Sequence, residues 1–209
     1  MAASGIQIRN SDKRMEKVGK AYEELISNHE DFFPHKSTFI DCGAGSGLFS
    51  LLCISVLKAE RVYAYEGYYR NFSLLLDNIT ENSAFNVTAD DHHIMGDTGR
   101  EWLNVESGVV NSLGIGEKIL VETRKLDDLT LPGAGFINIA VPGAAKGIIM
   151  GGRRRIGKEQ PSMMVEIMSG KEEREVRKIV EELGLAHEFT ETIQRLEGAE
   201  SRILFFSGK

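Results

Sequence analysis

The sequence has no apolar run long enough to cross a membrane. Its longest apolar stretch, residues 48–57, contains two serines and a cysteine, and it is about half as long as a membrane-spanning helix needs to be. Charged side chains are spread through the first twenty residues, so these residues contain no secretory signal core. We therefore expect no association with a membrane.

Cysteine is also scarce, since the chain contains only Cys42 and Cys53. Two thiols at this spacing provide neither a disulfide framework nor a set of metal ligands. We interpret both as reduced thiols of a cytoplasmic protein. The adjacent His92 and His93 do not indicate a metal site either, because successive side chains of a strand point to opposite faces. We predict no metal.

Basic residues are outnumbered: the 209 residues include 25 basic and 31 acidic ones, which gives a net charge of −6. This balance argues against a sequence-independent grip on nucleic acid, which usually needs a basic face. One basic cluster stands out, and it consists of Arg153, Arg154, Arg155 and Lys158. It is interpreted as a phosphate contact or as the solvated end of a helix.

Strands and helices alternate in the first half of the chain. An apolar stripe between residues 11 and 28 predicts an N-terminal helix that starts at Ser11 or Asp12 and continues through Met15, Val18, Tyr22, Leu25 and Ile26. The elements predicted after it are strands at 37–41, 61–66 and 92–95 and helices at 48–57 and 71–82. This pattern is typical of a parallel sheet covered on both faces.

The second half is less regular between residues 96 and 135, where an inserted strand is predicted at 117–125 and a turn at 126–129. The later predictions are strands at 136–141 and 163–167, each followed by a helix, and an antiparallel pair at 186–193 and 202–206 joined around Gly198. Ser169 and Glu172 form a capping box for the last helix, which Gly184 ends. We predict one α/β domain, residues 1–209, with an N-terminal helical segment (1–36) and a doubly wound core (37–209).

The strongest motif is DCGAGSG at residues 41–47, between the first strand and the next helix. Glycines let a ligand approach the backbone, and the amides that open a helix favour a carboxylate or phosphate. Because a dinucleotide motif requires Gly or Ala where this chain has Leu48, we favour S-adenosyl-L-methionine as the cofactor, with Asp41 facing its ammonium group. A structural turn is the alternative. The other candidate binding residues of this loop are Gly43, Ala44, Gly45 and Gly47.

Two further acids are candidate cofactor contacts. Glu66 ends the second predicted strand, where a carboxylate can accept hydrogen bonds from both ribose hydroxyls. Asp97 is placed just after the predicted third strand, where it would accept from the adenine amino group. The alternatives are a surface acid for Glu66 and ordinary turn chemistry for Asp97.

These motifs resemble the FkbM family of S-adenosylmethionine-dependent methyltransferases. The glycine-rich loop and Glu66 are common to the class I superfamily, whereas LDDL at residues 126–129 and VEI at 165–167 point to FkbM. The resemblance covers residues 38–167. It implies a Rossmann-like sheet of strand order 3-2-1-4-5-7-6 with an antiparallel last strand, and methyl transfer to hydroxyl groups of sugars or natural products.

The chain departs from this family after the fourth strand. The family pattern has charged side chains at four positions, and this chain has uncharged residues there, namely Asn138, Ala140, Pro142 and Ala145. Charged groups at these positions would orient the acceptor, remove its proton or bind a metal, and alanine and proline can do none of these. We therefore assign no catalytic residue.

We predict a methyltransferase that uses S-adenosyl-L-methionine and transfers its methyl group to a hydroxyl of a small molecule or glycan, at an atypical acceptor site. Two alternatives stay open: a cofactor-binding scaffold or sensor without turnover, and an RNA methyltransferase. Residues 41–82 also resemble archaeal-type transfer-RNA methyltransferases, but their asparagine–proline–proline–aromatic motif is absent here. Leu48 and Asp41 disfavour a nicotinamide-dependent oxidoreductase.

Overall fold

A computed structural model describes residues 5–9, 13–194 and 200–208. The α-helices of this part are α1 (Lys13–Asn28), α2 (Leu48–Ser55), α3 (Tyr69–Glu81), α4 (Ala145–Gly151), α5 (Arg153–Glu159) and α6 (Gly170–Glu182). Short 3₁₀ helices lie at Glu30–Phe32 and Leu126–Asp128. None of the described helices is both long and apolar enough to span a membrane. The predicted helix start at Ser11 or Asp12, the side chain of Met15 and the turn around Gly198 lie outside the described residues.

Seven strands form the central sheet, in the spatial order β10-β11-β9-β8-β1-β2-β3. They are β1 (Thr38–Cys42), β2 (Arg61–Tyr65), β3 (Val87–Asp90), β8 (Phe136–Ile139), β9 (Ser162–Ile167), β10 (Ala186–Gln194) and β11 (Glu200–Ser207). The five strands from β3 to β9 pair in parallel, and β11 is antiparallel to both of its neighbours. The predicted strand order and the antiparallel last strand are confirmed.

Both faces of this sheet are buried. Successive residues of its inner strands point to opposite faces, so each of these strands contributes apolar side chains to both. Phe39 and Phe136 stack on one face, with ring centroids 4.9 Å apart, beneath α1, α2 and α3. Ile40 and Ile137 lie on the other face with apolar residues of α4 and α6. Nearly continuous apolar strands of this kind are typical of doubly wound folds, and the predicted fold class is confirmed.

A second sheet of four strands lies between β3 and β8 in the chain, in the order β4-β7-β5-β6. Its strands are β4 (His93–Ile94), β5 (Gly99–Glu106), β6 (Val109–Asn111) and β7 (Glu117–Arg124). The inserted strand predicted at 117–125 is β7. The hairpin of β5 and β6 was not predicted, since its alternation of apolar and polar residues is weak.

The prediction of the third central strand at 92–95 is wrong. That strand is β3, in which Val87 lies opposite Val62 of β2, whereas His93–Ile94 pairs with β7 in the second sheet. At the edge of the sheet only Val87 of β3 is buried, so its pattern is faint. The more apolar segment that follows contains β4, which is a strand of the inserted sheet instead.

One residue of the basic cluster, Arg155, is part of the protein interior, since it is only 9% exposed. Its guanidinium donates to the carbonyls of Leu126 (3.1 Å) and Leu129 (2.6 Å) and pairs with Glu159 at 2.9 Å. These bonds fasten the turn at 126–129 to α5. For Arg155 both sequence-based interpretations, a phosphate contact and a solvated helix end, are therefore wrong.

We expect Arg155→Ala to destabilise the protein by on the order of 3 kcal/mol, because it removes the guanidinium donor from buried carbonyls and the charged partner from the Glu159 carboxylate. Lys158→Ala, on the exposed side of the same helix, should change stability by no more than about 0.5 kcal/mol. Urea denaturation of the two variants measures the difference. Equal losses would contradict the structural role of Arg155.

Candidate functional site

A cavity of about 280 Å³ lies at the carboxyl edge of β1, β2 and β8. The central β1 has β2 on one side and β8 on the other, so the strand order reverses between β1 and β8. Sheets of this type bind ligands at such a reversal. The predicted cofactor residues that line the cavity are Asp41, Gly43, Ala44, Gly45 and Glu66. Gly47 and Asp97 are not part of its lining.

The three glycines of the loop differ in what surrounds them. A Cβ on Gly43 would lie 2.8 Å from the Ala140 carbonyl oxygen, and one on Gly47 would lie 2.5 Å from Leu75 Cδ1. A Cβ on Gly45 would meet no atom within 4 Å, although its φ of +57° favours glycine. Gly43 and Gly47 are therefore required by packing, whereas Gly45 presents bare backbone to the cavity.

Glu66 is joined directly to this loop. One of its oxygens accepts a hydrogen bond from Gly45 N–H at 2.9 Å, and the other accepts from Tyr68 N–H at 2.8 Å. Glu66 is only 2% exposed, and this burial raises its pKa to about 7 despite the hydrogen bonds, which lower it. Each oxygen keeps acceptor capacity, so the carboxylate can still accept from a pair of hydroxyl groups.

Asp41 is the second buried acid of the cavity. It lies opposite Asn138 in the pairing of β1 with β8, and Asn138 Nδ2 donates to its Oδ1 at 2.8 Å while Ser50 Oγ donates to Oδ2 at 2.6 Å. Burial raises the pKa of Asp41. Its donors are both uncharged, and no cationic side chain in the described part of the chain pairs with it. A ligand ammonium group would supply the missing countercharge.

Asp97 does not join the other candidate residues. It follows β4 of the second sheet rather than the third central strand, and it is exposed. Its backbone carbonyl accepts from Thr123 Oγ1 at 2.8 Å. The predicted position of Asp97 depended on the misplaced third strand, so that position is wrong and we do not retain its proposed adenine contact.

The sequence analysis missed the hairpin that covers one end of the cavity. Its turn, Ser107 and Gly108, joins β5 to β6 and lines the cavity together with Val109 and Val110. Asn71 Nδ2 donates to the Gly108 carbonyl at 2.9 Å, which holds the turn against α3. Both turn residues have positive φ, 49° and 80°. A Ser-Gly pair between short apolar runs is the signal that could have revealed this two-residue turn.

N-terminal residues also line the cavity. Val18 and Tyr22 of α1 line it beside Phe49 of α2, and Arg9 also reaches it. The Arg9 guanidinium already lies 3.7 Å from an oxygen of Asp77 and 3.4 Å from one of Glu81. This wall is therefore largely apolar, and its one cation is partly neutralised.

Two of the four positions that depart from the FkbM pattern line the same cavity. Asn138 and Ala140 line the cavity, and Asn138 serves as the donor to Asp41 described above. The Pro142 carbonyl accepts from Ser112 N–H at 3.1 Å, and Ala145 is fully buried at the start of α4. None of these four side chains can accept a proton from an alcohol or bind a metal as a carboxylate does.

His93 is a cavity residue whose role the sequence analysis did not identify. It was considered there only as a metal ligand, together with His92. In the structure His93 lines the cavity and is 1% exposed, while the His92 ring lies outside it, 2.7 Å from an oxygen of Asp90. The two histidines therefore have unrelated surroundings.

No family model matches the chain, and no curated protein matches its sequence. Solved structures do match. The methyltransferase FkbM from Methylobacillus flagellatus has a TM-score of 0.63 and 18% identity over 82% of this chain and 43% of its own. For precorrin-6y C5,15-methyltransferase from Geobacter metallireducens the TM-score is 0.61 and the identity 16%, over 100% of this chain and 97% of its own.

A third match is TYW2 from M. jannaschii in complex with AdoMet, with a TM-score of 0.54 and 14% identity over 87% of this chain and 74% of its own. Transfer-RNA methyltransferases are also among the similar structures. The chain has the Rossmann-like fold of these methyltransferases. It spans less than half of the FkbM structure but almost all of the precorrin enzyme, and its resemblance to the FkbM family stays a prediction.

The buried Glu66 generates a prediction about stability. Its pKa near 7 in the folded protein lies above the ordinary value of 4.5, so the stability it contributes is fully present below pH 4.5 and is lost as pH rises toward 7. Gln cannot ionise. The free energy of unfolding of Glu66→Gln, relative to the parent, should therefore increase by on the order of 3 kcal/mol between pH 4.5 and 8.

Urea denaturation at the two pH values measures this change. The buried His93, whose pKa is lowered to about 4, titrates in both proteins and cancels in the difference. A difference between variant and parent that is the same at both pH values would contradict the assigned state of Glu66.

Proposed function

We propose that this protein is a methyltransferase whose cofactor is S-adenosyl-L-methionine, bound in the cavity between the loop after β1 and the end of β2. The observation that carries the proposal is the hydrogen bond from Gly45 N–H to Glu66. It places the bare backbone of the loop and a buried carboxylate with free acceptor capacity on the same cavity. A methionine moiety on a ribose needs this pair of neighbours.

In this proposal the ribose hydroxyls donate to Glu66 and the ammonium group lies at Asp41. The hydroxyls would favour the ionised carboxylate and so lower the raised pKa of Glu66. The ammonium would give the buried Asp41 a charged partner in addition to Ser50 and Asn138. When bound, the cofactor supplies an electrophilic methyl group, and the part left to the protein is to align an acceptor with it.

A nicotinamide dinucleotide fits this site less well. The buried side chain at Leu48 occupies the position that requires Gly or Ala in a dinucleotide motif. Asp41 would place a carboxylate beside a pyrophosphate, and the cavity of about 280 Å³ is small for two nucleotides. The similar solved structures, which include an AdoMet complex, also support the smaller cofactor.

Calorimetric titration with S-adenosylhomocysteine and with NAD tests the cofactor. We expect binding of the first compound and not of the second. Glu66→Ala should weaken that binding roughly ten- to a hundredfold, because it removes charge-assisted hydrogen bonds to the ribose. Binding of NAD alone would contradict the proposal, and so would an affinity unchanged by Glu66→Ala.

Gly45→Ala provides an independent test of the loop. Its methyl group would project into the cavity, so binding of S-adenosylhomocysteine should weaken by about tenfold or more. Gly114→Ala is the matched control, because Gly114 also has positive φ and open space at its Cβ but does not line the cavity. It reproduces the backbone strain of the variant, and its affinity should stay that of the parent. Equal affinities for the two variants would contradict a ligand at Gly45.

The proposed acceptor is a small molecule, with transfer to a hydroxyl of a glycan or natural product. The covered cavity and its apolar wall of Val18, Tyr22 and Phe49 support a small acceptor. An RNA acceptor is the second candidate, because transfer-RNA methyltransferases share the fold. The use of the Arg155 guanidinium inside the protein, at Glu159, removes a cation that such an acceptor would need.

Ala140 and Pro142 offer no acid or base, so we predict that transfer does not depend on a metal and that simple sugars are not methylated. A glycan or natural product would be an acceptor only where the cavity binds and aligns that particular molecule. A transfer assay with isotope-labelled cofactor, run with a glycan and RNA panel in the presence of Mg²⁺ or a chelator, measures this. We expect any activity to be unchanged by the chelator. Metal-dependent methylation of sugars by the unmodified protein would show that the catalytic centre is misplaced.

The double substitution Ala140→Asp with Pro142→Glu restores the acids of the FkbM pattern. Cofactor affinity should barely change, because the Gly45–Glu66 pair is untouched, while the response of transfer to metal or acceptor should change. Cofactor binding without transfer to any acceptor in the panel would instead support the scaffold or sensor alternative.

We propose the cytoplasm as the location of the protein. The free, buried Cys42 and Cys53 agree with such a reducing compartment.

A further inference from the structure

His93 is a residue of the cavity wall whose ring has a buried nitrogen with no partner among the described residues. It lines the cavity and is 1% exposed, and its Nδ1 lies 3.3 Å from Gly67 N–H, which donates to it. Its Nε2 has no hydrogen-bond partner among the described residues. A buried polar group without a partner is destabilising, so native proteins seldom keep one without a reason.

The bond from Gly67 fixes the form of the ring. Because Nδ1 accepts, the proton of the neutral imidazole must be on Nε2. Burial lowers the pKa of His93 to about 4, so the ring is uncharged near neutral pH. His93 therefore presents an N–H donor, not a cation or a base.

The position of His93 indicates what this donor would meet. Gly67 directly follows Glu66, and a Cβ on Gly67 would lie 2.8 Å from His93 Cβ, so the two segments are in close contact. A ribose whose hydroxyls lie at Glu66 carries its base on C1′, the carbon bonded to the one that bears the 2′-hydroxyl. The base then lies within a few bond lengths of Glu66, in the cavity that His93 and the turn at Ser107 and Gly108 also line.

We propose that His93 Nε2–H donates a hydrogen bond to a ring nitrogen of the adenine, which makes His93 a determinant of base specificity. This inference rests on the proposed function, because it requires the ribose at Glu66. Adenine offers acceptors at N1, N3 and N7, and each accepts a neutral N–H donor. In this proposal His93 takes the place of Asp97, which does not line the cavity.

Three analogues of S-adenosylhomocysteine that lack one acceptor each, the 1-deaza, 3-deaza and 7-deaza compounds, test the contact by calorimetry. One of them should bind the parent about fivefold more weakly than S-adenosylhomocysteine does. His93→Ala should lose about the same factor for S-adenosylhomocysteine and should no longer distinguish that analogue. This coupling isolates the pairwise contact from any general effect of the substitution on the fold.

His92→Ala is the matched control, because the neighbouring ring lies outside the cavity, and it should keep the discrimination of the parent. His93→Gln should recover part of the lost affinity, since its amide can also donate. If His93→Ala fails to fold, ¹⁵N-histidine spectra of the parent decide the matter. The Nε2 proton resonance should shift with S-adenosylhomocysteine and shift less with the discriminated analogue.

The outcomes separate the two proposals. If S-adenosylhomocysteine does not bind the parent, the proposed function fails, and this inference fails with it. If it binds, but the parent and His93→Ala treat all three analogues alike, only the role of His93 is overturned. An Nε2 resonance that S-adenosylhomocysteine leaves unchanged would also overturn that role.

Discussion

The hydrogen bond from Gly45 N–H to the Glu66 carboxylate connects the loop after β1 to the end of β2. A buried carboxylate needs such donors, because removing it from water is costly unless its oxygens are hydrogen-bonded. The bond thereby fixes the loop, and the packing at Gly43 and Gly47 fixes its two ends. The cavity and the bare backbone at Gly45 both depend on this arrangement.

The two acids of the cavity are buried in different ways, and the difference gives each a separate chemical capacity. Glu66 accepts from the backbone amides of Gly45 and Tyr68 and also has a side-chain donor in Asn71. Asp41 is held by the side chains of Ser50 and Asn138, neither of which balances its charge. Next to Asp41 the cavity continues along Ala140, which offers no acid or base. The structure thus concentrates polar groups at one region of the cavity. In the proposed methyltransferase, alignment would be the main means of acting on an acceptor.

Sequence reasoning predicted the order of the central sheet and the positions of the glycine-rich loop after β1 and of Glu66 after β2, because strong local signals specify each of them. It failed where tertiary packing decides. The short edge strand β3 has a single buried residue, Val87, so the sequence analysis did not identify it. The third strand was predicted at 92–95 instead, and Asp97 was therefore expected at the end of the wrong strand. Arg155 was interpreted as a surface cation, because no local sequence pattern indicates that its guanidinium donates hydrogen bonds to the carbonyls of a distant turn. The role of His93 was hidden for the same reason, since its partner Gly67 is brought to it only by the fold.

A crystal structure of the protein with S-adenosylhomocysteine tests the central claim most directly. The account predicts that the nucleoside occupies the cavity, with both ribose hydroxyls within hydrogen-bond distance of the Glu66 carboxylate and the amino-acid end at Asp41. A nucleoside bound elsewhere, or one in this cavity whose ribose makes no contact with Glu66, would contradict it.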